Sequence, residues 1–225
     1  MHLFSGKDKP AIKHICFDLD GTLIDSFQTI YKATLKAMKH LDISADLPEK
    51  GLYNRIGHHF IDIFNELKIP VPDVEHFISV YKNFYFDFID ESEVYPGIED
   101  VLKQMQNNKI LISLLTTKIQ EQAEAILNHF NLSKYFDVIM GRRNHIPVKP
   151  SPIPLLKICS ELNVEPGESL MTGDTELDIN CGKNAGTMTC AVLYGYREKE
   201  LLIKEKPDYV IENAAELNLL LPTLK

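Results

Sequence analysis

Beyond Tyr95-Pro96-Gly97 the chain alternates short apolar runs with helical patterns, and that alternation limits its fold more than any other feature. The spacing predicts helices over 98–106, 120–130, 153–162 and 176–184, and strands over 110–115, 137–140, 169–172 and 187–192, with a last strand and helix over 209–221. Strands that alternate with helices build right-handed βαβ units, so the expected class is α/β: a doubly wound parallel sheet with helices on both faces. The run His14-Ile15-Cys16-Phe17 near the start reads as one more strand of the same sheet.

Between that strand and Pro96 the pattern changes. Ser26 is a candidate N-cap, and Phe27, Ile30, Tyr31, Thr34, Leu35 and Met38 recur at helical spacing towards Leu41. From Asp46 to Glu93 only helical patterns follow, one over 58–67 and one carrying Val74, Phe77, Ile78, Tyr81, Phe84, Tyr85 and Phe88. The expected organisation is an α/β core of 1–25 with 94–225, interrupted by an all-helical insertion over 26–93. The aromatic stripe in the insertion is read as its core.

The first strand ends in Asp18-Leu19-Asp20-Gly21, two carboxylates two residues apart where an apolar run meets a glycine turn. In extended geometry both point the same way, and same-sign charges this close need a cation or a shared proton. One reading is ordinary turn chemistry. A calcium loop requires Gly at the sixth position and Glu at the twelfth, where this chain has Leu23 and Thr29, so that reading fails. The third is a phosphoryl-transfer site with one Asp as nucleophile and the other as acid/base.

In a doubly wound sheet the carboxyl ends of the strands converge on one crevice. Thr116 and Thr117, followed by Lys118, end the 110–115 strand and offer hydroxyl donors or a helix cap; Gly173-Asp174 ends the 169–172 strand, with Asp178 four residues on. Asp174 and Asp178 fall at the start of a helix, where the dipole favours negative charge. Lys149 precedes Pro150, which disfavours helix, so it is placed on a loop. Carboxylates gathered this way repel unless a hard divalent ion with oxygen ligands joins them, and Mg²⁺ is usual where phosphate is bound. The basic segment Arg142-Arg143-Asn144-His145 is either a border of this crevice or an exposed loop.

Composition excludes other classes. With 44% apolar and 25% charged residues the chain is globular rather than disordered, and a formal charge of −8 argues against a nucleic-acid footprint. No apolar window approaches the roughly 18 residues of a spanning helix, and the first ten residues lack a signal core, so no membrane partner is expected. Cys16, Cys159, Cys181 and Cys190 form no C-x-x-C pair and read as reduced core residues, which fits a cytoplasmic location.

Taken in order, Asp18-Leu19-Asp20-Gly21-Thr22-Leu23, Leu114-Leu115-Thr116-Thr117-Lys118, Lys149-Pro150-Ser151-Pro152 and Gly173-Asp174-Thr175-Glu176-Leu177-Asp178 resemble the haloacid dehalogenase-like hydrolase superfamily, and its phosphoglycolate phosphatase-type branch in particular. Asn184-Ala185-Gly186 and Leu193-Tyr194-Gly195-Tyr196 look like that branch as well. The resemblance implies a Rossmann-like core, with the helical insertion as its cap. It makes Asp18 the nucleophile, Asp20 the acid/base, and Thr116 and Lys149 the groups that bind the transferring phosphoryl oxygens. It implies Mg²⁺ held by Asp18, the backbone carbonyl of Asp20 and Asp174, with Asp178 a ligand through water or the partner that orients Lys149. Thr22 and Thr117 are expected at the substrate, although the branch usually has Asn at position 117. In the insertion, Asn54-Arg55-Ile56-Gly57-His58-His59 reads as a turn between two helices, either solvated or bringing Arg55 or His58 to the leaving group.

The function so implied is Mg²⁺-dependent hydrolysis of a small phosphorylated metabolite such as phosphoglycolate, by a monomer or weak homodimer. Alternatives are a pyrophosphatase, a phosphomutase that returns the phosphoryl group to a sugar, and a binding protein that keeps the fold without turnover.

Overall fold

A computed structural model describes residues 11–220. In chain order its regular elements are β1 (His14–Phe17), β2 (Ile24–Asp25), α1 (Phe27–His40), α2 (Glu49–Tyr53), α3 (Phe60–Leu67), α4 (Val74–Tyr85), β3 (Glu93–Val94), α5 (Ile98–Asn107) and β4 (Leu111–Ile119). There follow α6 (Gln120–His129), β5 (Val138–Arg142), α7 (Ile153–Glu161), β6 (Ser169–Gly173), α8 (Glu176–Ala185), β7 (Met188–Val192), α9 (Lys199–Lys204), β8 (Tyr209–Ile211) and α10 (Leu217–Leu220). The described chain forms two compact units, 11–23 with 94–220, and Ile24–Glu93.

The larger unit is a six-stranded sheet in the order β5-β4-β1-β6-β7-β8, parallel throughout. Strands buried on both faces explain the near-continuous apolar runs; β1, β6 and β7 are buried at every position. From β1 the chain builds outward through β4 and β5, then crosses back to lay β6 against the other side of β1. The order therefore reverses between β1 and β6, the place where open α/β sheets open a crevice at their carboxyl edge. One core layer joins sheet residues Cys16, Leu115, Met140 and Met171 to Leu155 and Ile158 of α7 and Cys181 of α8. All four cysteines are free and buried. At the opposite end of β1, His14 is fully buried and bridges Ser113 and Ser169 at 2.7 and 3.0 Å, so its ring is satisfied from both neighbouring strands.

The smaller unit is helical apart from short strand segments. Phe77, Tyr81 and Tyr85 of α4 are buried, and the rings of Phe60, Phe64, Phe77 and Tyr81 pack edge to face or stacked, with centroids 4.8–6.3 Å apart. The stripe is a core, and no ligand box is needed to explain it. Ion pairs Lys32–Glu91 and Lys36–Asp87, at 2.5 and 2.7 Å, and a Thr29 hydroxyl bond to the Phe88 carbonyl fasten α1 to the turn after α4.

Several elements depart from the sequence expectation. β4 continues past Leu115 to Ile119 with a shift of register, so Thr116 and Thr117 lie within the strand; the N-cap of α6 is Ile119, and neither threonine caps a helix. Ser26 occupies the N-cap position of α1, but its side chain makes no cap bond; Asp25 accepts from the Phe27 amide instead, at 3.3 Å. α2 and α9 were not foreseen, because each is a turn or two long and buries a single residue, Leu52 and Leu202, which leaves no period to read. Arg143 of the basic segment reaches back to Gln120 Oε1 at 3.0 Å and to the Ile139 carbonyl at 3.2 Å, bracing the end of β5. Leu221, at the expected end of the last helix, lies outside the described residues.

Candidate active site

Asp18 leaves β1 at the reversal point, its amide still donating to the Thr172 carbonyl of β6 at 2.9 Å. Asp174 leaves β6 directly beside it. Gly21, at φ +83°, then turns the chain away; a Cβ there would stand 2.3 Å from Asp174 Oδ2. Gly173 is required in the same way, since a Cβ would fall 2.2 Å from Asp178 Cγ.

Lys149 is 4% exposed, and its ammonium donates to Asp18 Oδ1 and Asp178 Oδ1, both at 2.6 Å. The other oxygen of Asp178 accepts from the Thr175 amide at 3.0 Å and the Thr175 hydroxyl at 2.6 Å, while its own amide donates back to that hydroxyl: a capping box that starts α8. One residue thus begins a helix and orients the lysine. Asp18, Asp174 and Asp178 offer carboxylate oxygens within 4.8 Å of one another.

The electrostatics follow from this crowding. Burial pushes the Asp18 carboxyl up to about 7; Lys149 opposes the rise, and Asp178 and Asp20 add to it. Asp174 is raised well above the carboxylate range by burial, then by Asp18 and Asp178. Burial works against the charge of Lys149, but Asp178 and Asp18 overcome it and hold the ammonium above its ordinary value. Fully ionised, three carboxylates facing one ammonium leave two negative charges uncompensated, which is what one divalent cation supplies. A buried all-oxygen donor set suits a hard ion. The residues present therefore fit a divalent metal.

On the other side of β1, Lys118 lies 3.1 Å from Asp20 Oδ1, with both side chains 9% exposed, and the Lys118 amide donates to Thr116 Oγ1 at 3.2 Å. Sequence reasoning passed over Lys118 because it was read as lying beyond the strand. The irregular continuation of β4 is what brings it back to the edge. The core unit therefore gathers Asp18, Asp20, Thr116, Lys149, Asp174 and Asp178 at one sheet edge. Thr117 is half-buried on β4. Thr22 is fully buried, and its hydroxyl donates to Asp174 Oδ1 at 3.2 Å. In the helical unit, Arg55 donates to Glu66 at 2.7 Å and to the Gly51 carbonyl at 3.0 Å, and the His58 amide donates to the Arg55 carbonyl at 3.0 Å, which closes the 54–59 turn.

A doubly wound α/β sheet carrying paired aspartates, a buried lysine and an acidic cluster at its reversal point has the parts that phosphoryl transfer requires. The chain belongs to the haloacid dehalogenase-like hydrolases, whose family model matches residues 15–192. Among curated relatives it is 33% identical to the phosphoglycolate phosphatase of Aquifex aeolicus over 90% of this chain and 93% of that one. It is likewise 33% identical to the pyrophosphatase PpaX of Bacillus mycoides, over 92% and 95%. The solved structure of a predicted phosphoglycolate phosphatase from Haemophilus somnus shares the fold, with a TM-score of 0.84 at 22% identity, covering 96% of this chain and 99% of that one. Within the family, the chain is a phosphatase.

Proposed function

We propose that the protein is a Mg²⁺-dependent phosphatase that cleaves a small phosphorylated metabolite with an anionic leaving group through an aspartyl-phosphate on Asp18. The observation that carries this reading is the Lys149 ammonium shared between Asp18 and Asp178 at 2.6 Å each, beside Asp174, all four side chains buried at the sheet edge. A carboxylate attacks an anionic phosphoryl group only where local positive charge offsets their repulsion.

Asp18, the Asp20 carbonyl and Asp174 would hold Mg²⁺, with Asp178 fixed behind them; the ion supplies charge neutralisation at the phosphoryl oxygens. Lys149 sets the orientation of the Asp18 carboxylate and, with the Thr116 hydroxyl, binds the transferring oxygens. The Asp18 oxygen forms a bond to phosphorus as the bond to the leaving oxygen breaks, and the Asp20 carboxyl gives that oxygen a proton. In the second half Asp20 takes a proton from water, whose oxygen displaces Asp18 from phosphorus and releases inorganic phosphate.

Lys118 next to Asp20 places positive charge where the leaving group departs. This favours leaving groups that carry their own negative charge, as glycolate and phosphate do, and both substrates are named among the relatives at 33% identity. Thr117, Arg55 and His58 are proposed at most as secondary determinants of substrate choice.

The test is phosphate release from a panel of phosphoglycolate, pyrophosphate and sugar phosphates, with and without Mg²⁺, repeated on Asp18→Asn. Release is expected to require Mg²⁺ and to fall to background in the variant. Turnover by Asp18→Asn at the wild-type rate would remove the assigned nucleophile, and quantitative return of phosphate to a sugar without release would make the enzyme a mutase.

A further inference from the structure

Asp174 is engaged on both carboxylate oxygens by the protein itself. Oδ1 accepts from the Thr22 hydroxyl at 3.2 Å, and Oδ2 from the Tyr196 amide at 2.8 Å. The donors belong to different loops, the turn after β1 and the loop after β7. These loops are tied to each other, because the Tyr194 hydroxyl donates to the Thr22 carbonyl at 3.0 Å and its ring lies against Tyr95 with centroids 4.8 Å apart. Space around the carboxylate matches. A Cβ on Gly195 would meet Asp174 Cβ at 2.3 Å and the Gly21 carbonyl at 2.4 Å. Thr22 and Asp174 are both fully buried, so neither hydroxyl nor carboxylate has bulk water as an alternative partner.

Such a clasp answers a physical problem. Asp174 stands against Asp18 and Asp178, and without donors the mutual repulsion would turn its carboxylate away from them. We propose that Thr22 and the Tyr194-Gly195-Tyr196 loop are positioning groups that fix Asp174 in the cation-binding orientation, rather than substrate contacts or loop packing. This rests on the reading of Asp174 as a Mg²⁺ ligand. Partners that orient a metal ligand act on affinity, because the carboxylate then needs no reorganisation when the ion arrives.

Mg²⁺ binding to the full chain, measured by titration calorimetry without substrate, separates the roles, with the melting temperature of the metal-free protein recorded alongside. Thr22→Val keeps the shape and removes the donor, Thr22→Ser keeps the donor, and Tyr194→Phe removes only the tie to the Thr22 carbonyl. Thr22→Val is expected to weaken Mg²⁺ by roughly 10- to 100-fold, the usual effect of losing such a partner, with Thr22→Ser close to wild type and Tyr194→Phe in between. Gly195→Ala is expected to weaken it at least as much as Thr22→Val. Wild-type affinity in Thr22→Val, or equal weakening by Val and Ser, overturns the proposal while leaving the phosphatase reading intact. Should Thr22→Val not fold, wild-type affinity in Tyr194→Phe overturns it equally. Absence of Mg²⁺ binding in the wild type overturns both together.

Discussion

His14 and Lys118 each have a consequence that can be measured one residue at a time. Burial lowers the His14 ring to about 4 from its ordinary 6.5, so the folded protein keeps it neutral between its two serines. The unfolded chain takes up a proton as pH falls through 6.5 and the folded one does not, so this stabilisation is fully present above 6.5 and is lost as pH falls towards 4. The shift corresponds to about 3 kcal/mol. Denaturation of wild type and His14→Asn at each pH should show the wild type losing about that much relative to the variant over this window; parallel curves would contradict it. At Lys118, removal of the ammonium in Lys118→Met should lower kcat/KM for phosphoglycolate and pyrophosphate by about 10- to 100-fold, the range for one hydrogen bond to a charged group. A substrate with a neutral leaving group should be affected less. An equal fall for both classes would mean that the lysine serves Asp20 alone.

At the level of elements, α8 joins stability to the site. Its capping box uses Thr175 and Asp178, and Asp178 is also the residue that orients Lys149. Thr175→Ala removes one side of that box and should cost about 1 kcal/mol in unfolding free energy, typical for an N-cap. Because Asp178 then loses the hydroxyl that holds its second oxygen, phosphate release should also fall, and by more than the loss of folded protein explains. A variant that is destabilised yet fully active per folded molecule would separate the helix start from the lysine. β4 teaches a related lesson. Its irregular stretch after Leu115 is what allows one strand end to present Thr116 and Lys118 together.

For the whole molecule, the proposed Mg²⁺ site predicts a stability that depends on the ion. A ligand that binds the folded state alone stabilises it by RT ln(1 + [L]/Kd), about 2.7 kcal/mol at a hundred times Kd. Mg²⁺ should therefore raise the melting temperature, and Asp174→Asn should abolish most of that rise. Excess chelator should return the wild type to its metal-free transition. No helix among the described residues is long and apolar enough to cross a membrane.

The sequence by itself determined the α/β class, the parallel sheet and most of the side chains that meet at its carboxyl edge. Strand and helix periods, glycine turns and the order of Asp18, Asp20, Thr116, Lys149 and Asp174 are local in the chain, and local patterns are what a sequence displays. It could not place Lys118 against Asp20, settle whether Asp178 meets Lys149, or direct Thr22 to Asp174. Those contacts join residues far apart in sequence, and each depends on an ångström-scale accident of register or turn. Only the tertiary structure decided them, because a hydrogen bond is fixed by distance and angle between atoms, and neither is encoded in the spacing of residue types.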